Sequence, residues 1–408
     1  MKITDVKIRY VEGVVPNDML VLDMVMRNRV QYLPTNNHYS LSADNMTRPG
    51  AAAGGDMKKV DAFLYIETDE GITGVAGPIM NTHMIAPIIR NSFRGFLIGE
   101  DPLNTERIWD ILYRRDLFNH AGVNIMAISM VDFALWDVKC KKAGLPLWQL
   151  VGGATQTELP AYATCVGAAY KEDGSGYHLD EVAKLTQWCA ENGFAGVKWY
   201  PHRGPADGKK GIDEIYELYK VIRQAGGPDL KLMLDVWSGW DVNFTLKAAE
   251  RLAELDFYWI EEPLLPNNID GYAILGRQSP IAISAGENIV TRWNLVKYLE
   301  KDALDFYQPD PAWCGGISEC IKMMTLIAMS NKRIALHGYC VTVCAQLAAA
   351  YTANICPVSE YLLYITPSGQ FFYKEPAIPL NGKLSLPKSA GIGTDIDESK
   401  VIRSWFME

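Results

Sequence analysis

The chain has 408 residues, 49% of them hydrophobic, and its 39 Lys and Arg stand against 48 Asp and Glu for a formal net charge of −9. That length exceeds one typical domain but suits a barrel of about 250 residues with a smaller companion. An acidic balance without basic patches excludes nucleic acid and anionic membranes as expected partners, because phosphate backbones and lipid headgroups are held by clustered Lys and Arg.

The N-terminal MKITDVKIRYVEG alternates polar and apolar residues as a strand does and lacks the apolar core of a signal peptide. No apolar run reaches the ~18 residues needed to cross a bilayer. Eight Cys are scattered without CxxC or Cys/His ligand spacing, several of them in apolar runs where Cys acts as a small buried hydrophobe. Reduced thiols and a cytoplasmic location are expected.

A first region, 1–123, continues with VDAFLYIETDEGITGVA, a second antiparallel strand closing on the turn at Asp69, Glu70 and Gly71. Between the first and second strands runs a long polar segment from about Asp23 to Lys59, with NNHYS, TRPG and AAAGG. Segments of that length without structure of their own are commonly lids. His38 and Arg48 are its groups best suited to touch an anionic, polyhydroxylated ligand; the alternative for both is plain solvation.

The barrel region is expected over 124–370. It begins with NIMAISMVDFALWDVKCKK, a helix by its apolar spacing, stopped by Gly144 and Pro146. Eight strand-like runs follow: LPAYATC, GFAGVKWY, LKLMLDV, DFYWIEE, PIAISAGE, ALDFYQPD, RIALHG and SEYLL. Helical patterns such as EVAKLTQWCAEN and IDEIYELYKVIRQAG separate them. Near-continuous apolar strands alternating with helices predict an α/β fold, a closed (β/α)8 barrel of TIM type. The remainder, 371–408, contains the Pro- and Gly-rich PAIPLNGKLSLPKSAGIG and is expected to return to the first region, completing an α+β capping domain.

Three of the runs end in a carboxylate, Asp235, Glu261 and Glu287, at even intervals of 26 residues. A strand, a helix and two loops take up about that length in such a barrel, so the acids occupy equivalent places and converge at one mouth. Separately, each reads as a helix cap or a solvated loop acid. Together they would raise one another's pKa unless a hard divalent cation neutralised them, and magnesium is the candidate.

Other strand ends complete the set. Lys198 closes the second strand, Asp310 the sixth, His337 the seventh, and Glu360 lies in the eighth. Adjacent strands bring Asp310 beside His337, and a carboxylate on one imidazole nitrogen fixes the tautomer and raises the basicity of the other. One cation, one ammonium and one imidazole suit abstraction of the weakly acidic proton alpha to a carboxylate. The cation and Lys198 stabilise the enediolate while His337 takes the proton.

These residues, with WIEEP around Glu261 and GEN around Glu287, resemble the enolase superfamily, mandelate racemase branch, over essentially the whole chain. The phrases HRGPADGKKGI, LMLDVWSGWDVNF, YQPDPAWCGG and PVSEYLLY resemble the L-rhamnonate dehydratases of that branch. The resemblance implies a cap over a barrel, magnesium on Asp235, Glu261 and Glu287, a His337–Asp310 dyad, Glu360 near the substrate carboxylate, His38 over the substrate, and a homo-oligomer. It also implies dehydration of a small sugar acid to a 2-keto-3-deoxy acid, with an epimerase, racemase, cycloisomerase or non-catalytic sugar-acid binder as alternatives.

Two departures qualify the likeness. Racemases of the branch carry a second lysine where this chain has Tyr200, which leaves a single strong base near neutral pH and favours elimination. Either His337 or Tyr200 would then protonate the departing hydroxyl; the bland reading of Tyr200 is a ring packed at the mouth. The arginine expected in the lid has no match in AAAGGDMKK, and Arg48 is the candidate to replace it. His202 and Trp237 also fall near the mouth as candidate substrate contacts.

Overall fold

In the computed structural model the described residues are 1–15, 57–165, 169, 171, 176–363 and 365–407. His38 and Arg48 lie outside them. Three strands, β1 (Ile3–Val15), β2 (Met57–Thr68) and β3 (Thr73–Ala76), form an antiparallel sheet whose other edge is β13 (Arg403–Phe406), in the order β13-β1-β2-β3. The pattern of β1 alternates buried and open positions, as a strand covered on one face should.

One face of this sheet buries Val11, Val15, Phe63 and Val75 against Phe371, Phe372, Tyr373 and Ile396 from the C-terminal segment. The linker helix Gly122–Ala143 is apolar nearly all round and buried along most of its length. It approaches β3 so closely that a Cβ on Gly74 would stand 2.1 Å from the Ala134 carbonyl oxygen, and only glycine fits there.

All eight expected barrel strands are present: β4 (Glu158–Thr164), β5 (Gly196–Trp199), β6 (Lys231–Asp235), β7 (Phe257–Glu261), β8 (Ile283–Ala285), β9 (Phe306–Tyr307), β10 (Arg333–Ile334) and β11 (Ser359–Leu362). They lie parallel in the order β10-β9-β8-β7-β6-β5-β4-β11. This is the circular order of a (β/α)8 barrel, with the eighth strand beside the first.

Closure differs from expectation in one place. No ladder joins β10 to β11 among the described residues; β10 is two residues long, and Ile334 N instead donates to the Ile355 carbonyl at 2.7 Å. The C-terminal stretch is likewise shared between two partners. Its strand β12 (Lys383–Ser385) pairs antiparallel with the first residues of β4, at the foot of the barrel, and only β13 joins the capping sheet.

Inward positions stack in layers, as side chains alternate across each strand. Tyr162, Met233, Trp259, Phe306, Ala335 and Val358 form a buried apolar floor. Two residues further along the same strands stand Thr164, Asp235, Glu261, Gln308, His337 and Glu360. The pleat that fills the floor therefore aims the polar set into one lumen. No helix among the described residues is long and apolar enough to cross a membrane.

Candidate active site

Lys198 is 1% exposed and lies among carboxylates. Its Nζ is 2.5 Å from Glu261 Oε1, 2.8 Å from Glu360 Oε1 and 3.2 Å from Asp235 Oδ2. Burial alone would depress the amine, but Glu261, Glu360, Tyr162 and Asp235 outweigh it and hold it well above its ordinary value, so it is an ammonium. Lys198 thus binds the acids together.

The three evenly spaced acids reach the same lumen from β6, β7 and the end of β8. Glu261 Oε2 accepts from Trp259 Nε1 at 2.9 Å and from Gln308 Nε2 at 2.8 Å. Asp235 Oδ1 accepts from the Trp237 amide at 3.0 Å. Glu287 Oε2 lies 3.2 Å from His337 Nε2, and Asn288 Nδ2 donates both to Glu287 Oε1 at 3.3 Å and to Glu262 Oε2 at 2.9 Å. Burial raises the carboxyls of Glu261 and Glu287, and the charge of Asp235 adds to both.

Among the described residues no group of three or more His, Cys, Asp or Glu is arranged to hold a metal ion. Asp235 and Glu261 turn to Lys198, and Glu287 turns to His337. The donor chemistry nevertheless fits a hard dication. Five buried carboxyl groups, Asp235, Glu261, Glu262, Asp310 and Glu360, and the partly exposed Glu287 share the lumen and its rim with two cationic side chains, Lys198 and His337. That excess of negative charge and the oxygen-only donors of the evenly spaced set suit magnesium.

His337 and Asp310 meet as the strand order requires, Nδ1 to Oδ2 at 2.6 Å. Asp310 is fully buried, and its Oδ1 accepts from the Ala312 amide at 2.7 Å, so both oxygens are fixed. Trp313 lies over the imidazole with ring centroids 4.7 Å apart. Burial would lower the imidazole, but the carboxylates of Glu287, Asp310 and Glu360 prevail and push it up to about 10.

Glu360 accepts from Thr164 Oγ1 at 2.5 Å and from the Gly338 amide at 2.8 Å. Burial opposes its charge, yet Lys198 and His337 hold it down to about 2. The Tyr200 phenol is raised well above its ordinary value by burial and then by the Asp235 carboxylate, which keeps it neutral and able to donate.

The other two mouth residues are placed differently. His202 Nε2 lies 3.6 Å from Glu214 Oε2, and burial, with Arg203 beside it, drives the imidazole down to about 4. It is an uncharged ring packed at right angles to Tyr177. Trp237 is 41% exposed at a left-handed φ of 46°, followed by Ser238 at 63°, a strained pair held by the bonds from Trp237 N to Asp235 and from Ser238 N to the Glu262 carbonyl.

Sequence reasoning missed Thr164, Gln308, Trp259, Trp313, Glu262 and Asn288. The register on each strand points to the first two, since both stand two residues beyond a floor residue. Glu262 had no such signal: its φ of 41° turns it out of the alternation, and burial followed by Glu287 and Asp235 pushes it up to about 8.

The family models agree with this geometry. Residues 180–400 match the enolase C-terminal domain-like family and residues 39–152 the mandelate racemase / muconate lactonizing enzyme N-terminal domain. The chain is 31% identical over 352 residues to D-galactarolactone cycloisomerase of Agrobacterium fabrum, covering 83% of this chain and 90% of that protein. It is 30% identical over 349 residues to L-rhamnonate dehydratase of Saccharopolyspora erythraea, covering 83% and 84%. A racemase from Streptomyces coelicolor A3(2), solved with bound magnesium, superposes with a TM-score of 0.74 at 24% identity, covering 97% of this chain and 98% of that one. The chain belongs to the enolase superfamily, in its mandelate racemase branch, and is an enzyme of that superfamily.

Proposed function

We propose that the protein dehydrates a sugar acid, an aldonate of the rhamnonate type, to a 2-keto-3-deoxy acid. The observation that carries this reading is the His337–Asp310 dyad standing across one lumen from Lys198 and the three acids. A magnesium ion held by Asp235, Glu261 and Glu287 would supply positive charge to the substrate carboxylate.

Asp310 anchors Nδ1; the charge of Glu287, 3.2 Å from Nε2, is the largest influence that raises the imidazole, and with Glu287 drawn to a magnesium ion the ring would be neutral and Nε2 open to take the C2 proton. Lys198, kept cationic by its carboxylates, adds positive charge where the enediolate develops. The C3–O bond then breaks and the hydroxyl leaves as water, with the proton returned from His337 or given by Tyr200. The resulting enol tautomerises to the ketone. Tyr200 in place of a second lysine leaves one strong base, which supports elimination over racemisation.

The relative of Agrobacterium supports a second reading, cycloisomerisation through the same enediolate. Both are tested by incubating the purified protein with magnesium and a library of mono- and diacid sugars in deuterated water. Formation of a 2-keto acid is the expected result. Exchange of the alpha hydrogen without loss of water selects the second reading, and neither signal from any sugar acid overturns both.

A further inference from the structure

Asp310 opens a loop that runs to Ser318 without surfacing; every residue from 311 to 320 is buried. What covers it is the linker helix, joined by Trp109 of the first region. Trp109 Nε1 donates to the Gly315 carbonyl at 2.6 Å, and the Gly315 amide donates to Ser129 Oγ at 3.0 Å. Ser318 gives its amide to Asp132 Oδ2 at 2.9 Å and its hydroxyl to Asp132 Oδ1 at 2.6 Å. Trp136 Nε1 donates to the same hydroxyl at 2.8 Å.

The fit is tight. Gly316 has a φ of 97°, and a Cβ there would lie 2.5 Å from Asp132 Oδ2. The loop is otherwise tied back to its own start: the amides of Trp313 and Cys314 both donate to the Asp310 carbonyl, at 3.0 and 2.8 Å. The same loop carries Trp313, whose ring lies against His337. Its far end is held from the linker helix, its near end is the acid of the dyad, and its middle packs on the base.

We infer that Asp132, with Ser129 and Trp109, positions the catalytic dyad from outside the barrel, by clamping the loop that presents Asp310 and Trp313 to His337. The linker helix is thereby a part of the active-site support as well as a bridge between domains. A buried carboxylate accepting two hydrogen bonds suits this task, since it fixes the loop in position and in direction. This role rests on the dyad reading of His337 and Asp310 given under the proposed function.

The same helix supplies its own control. Asp137 is also fully buried and also accepts two amides, from Val75 at 2.8 Å and Ile392 at 2.9 Å, with Lys141 paired to it at 2.6 Å. Those partners belong to the capping sheet and the C-terminal segment and do not touch the loop after β9.

The test compares Asp132→Asn and Ser129→Ala with Asp137→Asn in the full chain. The first readout needs no substrate: the proton resonance of the His337 Nδ1–H···Asp310 bond, assigned by its loss in His337→Asn. The second is kcat and KM for the sugar acid found in the screen. Asp132→Asn is expected to shift the resonance and to lower kcat by roughly tenfold or more with KM changed less than about twofold, since small misplacements of a reacting group cost that much. Asp137→Asn is expected to lower Tm and leave the resonance in place. Ser129→Ala, the milder change, is expected to shift the resonance in the same direction, and decides the matter should Asp132→Asn fail to fold. An unmoved resonance in the folded loop variants overturns the inference and leaves a purely structural clasp. A shifted resonance with no sugar acid turned over by the parent chain would sustain the clamp and remove the proposed reaction.

Discussion

Two layers of one barrel, built by the same strands, behave as opposites. At the floor, Tyr162, Met233, Trp259, Phe306, Ala335 and Val358 pack together. Two residues on, the same strands turn polar, with Thr164, Asp235, Glu261, Gln308, His337 and Glu360. The floor excludes water from below, and a charge above a dry floor is felt further and costs more to leave unpaired. Within the upper layer, burial opposes the charges of Glu360 and His337, and the neighbouring opposite charges prevail over it in both. The difference teaches that packing and chemistry are separable along the strand by a single pleat, with Trp259, whose indole reaches Glu261, as the joint between them.

The sharpest break of this comparison is His337→Asn in the upper layer. It removes the base and is expected to lower kcat about a thousandfold, within the span general-base catalysis covers, while the urea midpoint moves little. Turnover near that of the parent chain, followed by 2-keto acid formation, would sink the dyad.

The mirror experiment is Phe306→Ala in the floor. Phe306 is fully buried against Tyr258 and Trp259, with ring centroids 5.1 and 5.0 Å away. Its truncation should cost ~3–5 kcal/mol of stability, measured by urea unfolding, with KM per folded molecule close to the parent value. A collapse of substrate binding without loss of stability would show that the two layers are not separable.

Legibility in the sequence follows the same division. The even 26-residue spacing exposed Asp235, Glu261 and Glu287 because a repeated unit puts the same position of each strand at the mouth. The adjacency of Asp310 and His337 followed from strand order alone. Contacts between residues far apart in the chain left no periodic trace: Gln308 on Glu261, Thr164 on Glu360, and Asp132 on Ser318 are neutral or single residues whose partners only the closed fold supplies. Lys198 was expected to face substrate, but its bonding to three carboxylates depends on distances no spacing encodes. Placing His202 and Trp237 by their distance from a strand end alone gave no hint of the Glu214 contact of one or the left-handed backbone of the other.

A smaller effect sharpens the electrostatic half. Glu262 is raised from 4.5 to about 8 and Asp132 from 3.8 to about 7, so the folded chain holds more protons than the unfolded chain across those windows. Stability from both is present below about pH 4 and is lost as pH rises through 7 and 8. Glu360, depressed to about 2, already contributes fully above 4.5 and adds no slope there, while His202, lowered to about 4, opposes the loss below about 6.5 and His337, raised to about 10, adds to it above that pH. Metal-free protein in EDTA should therefore lose stability from pH 5 to pH 8, by up to ~1.4 kcal/mol per pH unit for each proton involved. Glu262→Gln should remove about one proton from that slope. A urea midpoint that stays level over this range in the parent chain would mean the carboxyls are ionised throughout.

The smallest expected effect is that of Tyr200→Phe, and it bears on how the leaving hydroxyl acquires its proton. The phenol is held neutral by burial and by Asp235, so it is a donor in principle. His337, however, has just received the C2 proton on Nε2 with Asp310 fixing the other nitrogen, and it can hand on the same proton in a syn elimination. Removing the Tyr200 hydroxyl should then lower kcat by no more than about tenfold, below the usual worth of a positioned general acid, and leave alpha-hydrogen exchange in deuterated water unchanged. If exchange stayed intact while 2-keto acid formation fell about a thousandfold, the proton would be coming from Tyr200, and the two faces of the lumen would divide the reaction between a base on the seventh strand and an acid just past the second.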